Sequence, residues 1–218
     1  MYAMVCTRPD IAQVVGVLSR FMANPGRVHW DAVKRVFRYL RGTSDYSLCY
    51  HGKSSGAPHS VCIHGFLDSD WVGDIDSRRS TSGYVFTMFG GAISWMSKRQ
   101  PVVALSTTEA EYMAATHACK EAIWLRRLCS DIGVDAGKIT ISCDSQSAIC
   151  LAKNPTFHAR TKHIDVQFHF VRDMVEDGKV NLEKVDTVKN VADALTKPVG
   201  TEKFRWCSES MGLVAYSS

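Results

Sequence analysis

Apolar positions recur along this chain with two periods, and the change from one to the other divides it. From Thr7-Arg-Pro9 the steps Ile11, Val14, Val15, Leu18 and Phe21 are helical, with Pro9 near the first helical position, and the pattern breaks at Asn24-Pro-Gly26. A second helix is predicted from His29 to Arg41, with Trp30, Val33, Phe37 and Leu40 as its apolar line and Gly42 as its C-cap. Residues 52–60, GKSSGAPHS, form a polar break. Beyond it, strands are predicted over Val61–Trp71, Gly83–Met88 and Ala92–Met96. The last two are joined at Phe89-Gly-Gly91, where glycine supplies positive φ. A long helix, Ser106–Ile132, follows, then strand Lys138–Cys143 and a short helix, Ser145–Ala152. Helix Ile164–Glu176, a turn at Asp177-Gly178, strand Lys179–Val185 and helix Asn190–Thr196 complete the pattern. Antiparallel strands followed by a βαβ alternation imply an α/β fold, a five-stranded mixed sheet with flanking helices, preceded by a small helical segment.

Composition narrows the class. The 218 residues can hold one large domain, or a moderate domain plus a fragment, and 45% hydrophobic with 22% charged residues is ordinary for a soluble globular protein. No stretch reaches the length of a membrane span, and MYAMVCTRPD has no signal-peptide pattern, so an intracellular protein without a membrane partner is expected. None of the eight Cys forms a C-x-x-C pair and several sit in apolar segments, which suits reduced, buried thiols. A zinc site from His158, His163 and His169 is disfavoured, because closely paired Cys or His ligands are missing. Nothing in the sequence bears on oligomeric state.

Charge is uneven. Residues 1–60 hold eight Lys/Arg against three Asp, whereas the remainder holds 18 basic and 19 acidic residues. Lys34, Arg38 and Arg41 share one helix face, which is either a solvated basic face or a phosphate-contacting one.

Four carboxylates have contexts that surface charge explains poorly: Asp68, Glu111, Asp144 and Asp193. Asp68 ends the apolar run from Val61, although Asp70 shares its face on a regular strand and the pattern alone does not choose between them. Asp74 and Asp76 continue into a turn expected to be solvated. Glu109 completes a capping box with Ser106, a structural task. Glu111 instead starts the line Ala115, Ala118, Ala122, Leu125, Cys129, Ile132, where a carboxylate is costly unless paired or metal-bound. Asp144 stands where a strand gives way to a helix, as a ligand or as an N-cap. Asp193 lies in a first helical turn, where a cap explains it equally well. Carboxylates converging from strand ends and helices are what a hard cation such as Mg²⁺ requires.

FLDSDWVGD, RRSTSGYVF, ISWMSKRQPVVALSTTEAEYMAA, EAIWLRRL, CDSQSAICLAKNP, RTKHIDVQFHF and VADALTKP together resemble the ribonuclease H domain of Ty1/copia-type retrotransposon Pol polyproteins, over roughly residues 60–200. YAMVCTRPDIAQVVGVLSRF and HWDAVKRVFRYLRGT resemble the end of the same elements' reverse transcriptase, without the polymerase palm. The resemblance implies a ribonuclease H-like fold and three parts: a basic helical remnant of reverse transcriptase (1–55), the ribonuclease H domain (60–200) and a C-terminal tail (201–218). It implies an endonuclease that hydrolyses the RNA strand of an RNA/DNA hybrid, leaving 3′-hydroxyl and 5′-phosphate ends. Asp68, Glu111, Asp144 and Asp193 would hold two Mg²⁺, with Mn²⁺ as an alternative ion. Here the family's Asn-x-x-Ala-Asp reads Asn190-Val-Ala-Asp193, which shifts the register of Asn190. Ser69, Ser145 and Gln146 are the candidates for sensing the RNA 2′-hydroxyl, and Lys34, Arg38 and Arg41 for the phosphate backbone. The rest of a reverse transcriptase is an expected partner, and a virus-like particle in the cytoplasm or the nucleus the expected location. Many cellular relatives carry a histidine in the loop before the last helix. Val185–Asn190 has none, and His158 and His163 are candidates to replace it. Two other readings compete: an inert remnant or recruited nucleic-acid-binding module, and an integrase- or resolvase-type nuclease.

Overall fold

The computed structural model describes residues 1–52, 60–153 and 165–216. Helices α1 (Tyr2–Cys6), α2 (Ala12–Ser19) and α3 (Arg27–Gly42) and strand β1 (Tyr46–Leu48) form an N-terminal arm. The body follows as β2 (His64–Asp74), β3 (Arg79–Met88), β4 (Gly91–Arg99), α4 (Thr107–Asp131), β5 (Ile139–Cys143), α5 (Gln146–Lys153), α6 (Asp165–Glu176) and β6 (Val180–Lys184). The chain then runs through α7 (Asp193–Thr196), α8 (Thr201–Ser210) and β7 (Leu213–Ala215).

The main sheet has the order β4-β3-β2-β5-β6. β2, β3 and β4 are antiparallel neighbours, and β5 and β6 continue the sheet in parallel with β2. This is the ribonuclease H-like arrangement, an α/β fold with a five-stranded mixed sheet and flanking helices. Strand alternation sorts the side chains into two cores. Leu67, Tyr84 and Phe86 pack under α4 with Tyr112, Ala115, Ala118, Ala122 and Leu125, whereas Val85 and Ala92 pack on the opposite face with Leu195, Cys207 and Met211. The predicted α4 line is buried from Glu111 to Cys129, and it ends there because Ile132 is the C-cap and 68% exposed.

Two turns differ from expectation. At the β3–β4 hairpin the left-handed positions are Phe89 (φ 54°) and Gly90 (φ 81°), so an aromatic residue takes the first of them. The Glu109 carboxylate accepts from Leu105 N–H at 2.8 Å, one residue before the Ser106 cap, while Ser106 Oγ accepts from Glu109 N–H at 3.1 Å.

The arm is seated on the body. Trp95 Nε1–H donates to the Met4 carbonyl at 2.7 Å and Tyr50 Oη–H to the Ala92 carbonyl at 2.7 Å. Arg8 is buried and donates to both Asp10 oxygens, at 3.0 and 2.8 Å, and to Thr43; Tyr39 closes the network by donating to Asp10 at 2.6 Å. These bonds choose the inner face of α3. Tyr39 packs edge-on against Phe204, and Trp30 and Phe37 are 60% and 65% exposed, so the predicted line of Trp30, Val33, Phe37 and Leu40 is not the buried one. The expected C-terminal tail is structured as well. α8 packs on the second core, and β7 pairs antiparallel with β1, Leu48 opposite Leu213.

Candidate active site

β5 pairs with β2 only as far as Leu67 opposite Cys143. The next residue on each strand is a carboxylate, Asp68 and Asp144. β2 also separates a parallel from an antiparallel neighbour, and ligands in open α/β sheets gather where strand order changes. α4 brings Glu111 to the same strand ends, and α7 brings Asp193 from the opposite face of the sheet. Single oxygens of Asp68, Asp144 and Asp193 lie within 4.8 Å of one another, and a second group within the same limit joins Glu111, the Cys143 thiol and Asp144. The four carboxylates nominated from sequence are therefore adjacent in space.

Backbone and side-chain bonds hold them there. Ser69 N–H donates to Glu111 Oε1 at 3.1 Å, and Cys143 Sγ lies 3.9 Å from Glu111 Oε2. The Thr196 hydroxyl donates to Asp68 Oδ2. Asn190, fully buried, donates through Nδ2 to the Leu67 carbonyl at 2.9 Å and accepts the Ala192 N–H at 3.2 Å. It therefore ties the approach to α7 to the strand residue preceding Asp68. Gly83, opposite Asp68 on β3, makes the close approach feasible, because a Cβ there would sit 2.7 Å from Thr196 Cγ2. The capping readings recede. α7 has no side-chain cap, and α5 is capped by Ser145 Oγ, which accepts from Ala148 N–H at 3.3 Å, so neither Asp193 nor Asp144 has that task.

Asp70 does not join the cluster. A register shift follows it, with Val72 at φ 60°, and Asp70 Oδ1 accepts Thr81 N–H at 2.5 Å. Asp74, expected in solvent, is held by Arg99 at 2.7 Å and Arg20 at 3.5 Å, chiefly the Arg99 bond keeping it well below the usual carboxylate range. Asp76 is exposed. Of the nucleic-acid candidates, Ser69 is buried, Ser145 half-buried and engaged as a cap, and Gln146 exposed. Lys34, Arg38 and Arg41 are exposed on α3, with Lys34 paired to Asp31 at 3.1 Å. His158 and His163 lie outside the described residues.

Burial and crowding set the electrostatics. Glu111 is pushed up to about 8, first by desolvation and then by Asp68 and Asp144. Asp68 is raised to about 6 by burial, opposed by Lys197 and the Thr196 bond and assisted by Asp193 and Asp144. Two lysines not nominated from sequence complete the site. Lys197 Nζ lies 2.8 Å from Asp193 Oδ1 and 3.3 Å from Asp68 Oδ2, and Lys203 Nζ 3.4 Å from Asp193 Oδ2. The four-residue spacing Asp193…Lys197 is a readable signal, opposite charges set across the end of a short helix.

The donor set is all oxygen apart from one thiol and is largely buried, and its burial and crowding raise the proton affinity of Asp68 and Glu111. It fits a hard divalent ion. The fold and site define a ribonuclease H-like domain with an acidic, metal-competent centre. The chain belongs to the copia-type retrotransposon Pol polyproteins. It is 54% identical over 213 residues to the retrovirus-related Pol polyprotein from transposon TNT 1-94 of Nicotiana tabacum, and 38% identical over 209 residues to that from transposon RE2 of Arabidopsis thaliana. These alignments cover 98% and 95% of the chain but only 16% and 14% of the relatives. Among solved structures, the N-terminal RNase H domain of rv2228c from Mycobacterium tuberculosis, a maltose-binding-protein fusion, aligns with 69% of this chain and 98% of its own at TM-score 0.48 and 14% identity. No family model matches. Among the described residues no helix is long and apolar enough to cross a membrane.

Proposed function

We propose that the chain is a ribonuclease H, hydrolysing the RNA strand of RNA/DNA hybrids during reverse transcription of a copia-type element. The observation that carries the reading is the convergence of Asp68, Asp144 and Asp193 within 4.8 Å, beside Glu111, in a chain of this family. Two Mg²⁺ are the ions the reading requires; Glu111 and Asp144 would help hold one, Asp193 the other, and Asp68 would contribute to both. Such ions supply a water of lowered pKa and neutralise charge on the phosphate and the leaving 3′ oxygen. The protein's own part is positional. Asn190 and Thr196 fix Asp193 and Asp68, and the Ser69 N–H fixes Glu111. Ser69, Ser145 and Gln146 would meet the RNA strand and its 2′-hydroxyl. Lys34, Arg38 and Arg41 would meet phosphates without reading sequence.

Gel-resolved digestion of a labelled RNA/DNA hybrid with Mg²⁺, beside single-stranded RNA, duplex RNA and duplex DNA, tests this. Cleavage confined to the hybrid, leaving 3′-hydroxyl ends and abolished by Asp68→Asn, is expected. Tight hybrid binding without cleavage would favour the non-cleaving module. Changing Lys34, Arg38 and Arg41 to Gln should reduce the log–log salt slope of hybrid binding by about 0.7–0.9 per charge, for any sequence. An unchanged slope removes α3 from the interface.

A further inference from the structure

A cation already stands among the carboxylates, and it belongs to the chain. Lys197 Nζ bridges Asp193 Oδ1 at 2.8 Å and Asp68 Oδ2 at 3.3 Å. Local sequence puts it there. Lys197 follows Asp193 by four residues and precedes Pro198, which disfavours helical backbone at the preceding residue; Lys197 is extended (φ −140°, ψ 156°) and ends α7. From that extended residue the side chain turns back, so that the ammonium lies on Asp193 in the first turn of α7. The bridge is more than a surface i,i+4 pair. Asp68 is remote in sequence, and the two carboxylates are 1% and 4% exposed. The Lys197 side chain is 38% exposed, so its stem reaches in from solvent and has room to swing out.

An ammonium at hydrogen-bond distance and a divalent ion at about 2.1 Å need the same oxygens and cannot hold them together. We propose that Lys197 is a positioning residue that acts as a tethered counter-ion: its ammonium holds Asp68 and Asp193 together before a divalent ion arrives and must leave for that ion to bind. Lys197 thereby weakens the divalent affinity of this pair while stabilising the metal-free fold. Lys203, on the outer oxygen of Asp193, acts in the same direction with less effect. The inference rests on the proposed function only in requiring that a divalent ion binds here, not that a hybrid is cleaved.

The test is a calorimetric titration of the full chain with Mg²⁺ alone, no nucleic acid present, with metal-free melting curves alongside. Lys197→Met should bind Mg²⁺ roughly ten-fold more tightly than the parent, a coupling of ordinary size for two mutually exclusive ligands. The same variant should melt at a lower temperature without metal and gain more on adding it. Lys197→Arg, which keeps the charge, should stay near the parent. Equal or weaker Mg²⁺ affinity in a Lys197→Met protein that melts cooperatively overturns the proposal, as does undetectable Mg²⁺ binding by both proteins. If Lys197→Met does not fold, Lys203→Met decides: tighter Mg²⁺ binding supports the proposal and no change overturns it. Hybrid digestion run in parallel separates the two readings. A parent that binds Mg²⁺ without cleaving sinks only the nuclease. A cleaving parent whose Lys197→Met variant gains no affinity sinks only the counter-ion.

Discussion

Replacing Asn190 with alanine tests whether one buried amide aligns the two halves of the site. Its Nδ2 donates to the Leu67 carbonyl and its Oδ1 accepts the Ala192 N–H, all buried. Alanine strands both backbone groups, at about 1–3 kcal/mol per buried group. The Leu67 carbonyl retains a second lone pair, so its share lies at the low end and the total is about 2–4 kcal/mol. For a chain of this size that lowers the melting temperature by roughly 4–16 °C. The functional cost is larger than this suggests. Leu67 precedes Asp68, and Ala192 precedes Asp193, so slack at Asn190 becomes displacement between the two carboxylates. A shift of about 1 Å in a catalytic constellation costs on the order of 100-fold in rate. The assay is hybrid cleavage in saturating Mg²⁺, well below the variant's melting temperature, beside thermal unfolding. Asn181→Ala, whose amide donates to Glu183 at the surface, is the control and should stay within about 0.5 kcal/mol of the parent. An Asn190→Ala protein with unchanged melting temperature and full turnover refutes the reasoning.

Glu109→Gln should cost about 0.5–1 kcal/mol through the cap and leave Mg²⁺ binding intact, whereas Glu111→Gln should abolish cleavage with the fold retained; equal activity of the two in the hybrid assay contradicts this. Because Glu111 is raised from 4.5 to about 8, the metal-free fold binds its proton more tightly than the unfolded chain does. Its stabilising contribution is complete below the ordinary value and is lost as pH rises through about 8, so metal-free melting temperatures should fall across that interval and Glu111→Gln should flatten the curve. Arg8→Met leaves the Asp10 carboxylate buried without its charged partner, with the Tyr39 hydroxyl still on it, and should cost about 3–5 kcal/mol in denaturant unfolding. Deleting residues 1–48 should lower stability rather than improve solubility, because it uncovers the core around Trp95 and Val85.

The parts legible in the sequence were those where local pattern and tertiary environment agree. α4 is one: its buried line starts at Glu111, and a carboxylate at the head of a core line stands out without any structure. The hairpin of β3 and β4 is another. α3 failed because both of its faces carry large side chains, and periodicity cannot choose between a face with Trp30 and Phe37 and one with Val36 and Tyr39. The choice was made by a phenol that needed Asp10. Asp74 was read as solvated because its partners, Arg20 and Arg99, lie on other elements. β7 is only three residues long, and its pairing partner lies at the opposite end of the chain. Lys197 stands in the stretch VADALTKP, but it acquires meaning only when Asp68, from a distant strand, meets it.

The clasp between β1 and β7 has a consequence for the order of folding. The arm precedes in sequence the surfaces that receive it, β4, α7, α8 and β7, which are spread over residues 91–215. During synthesis the arm has nothing to dock on while the sheet assembles. Its contact of greatest sequence separation, the pairing of Leu48 with Leu213, forms only once β7 has been made. Contacts of such sequence separation are slow to close, and apolar surface left waiting for them is exposed to wrong partners. Trp30 and Phe37 stay uncovered even after docking, so α3 carries that hazard into the finished fold.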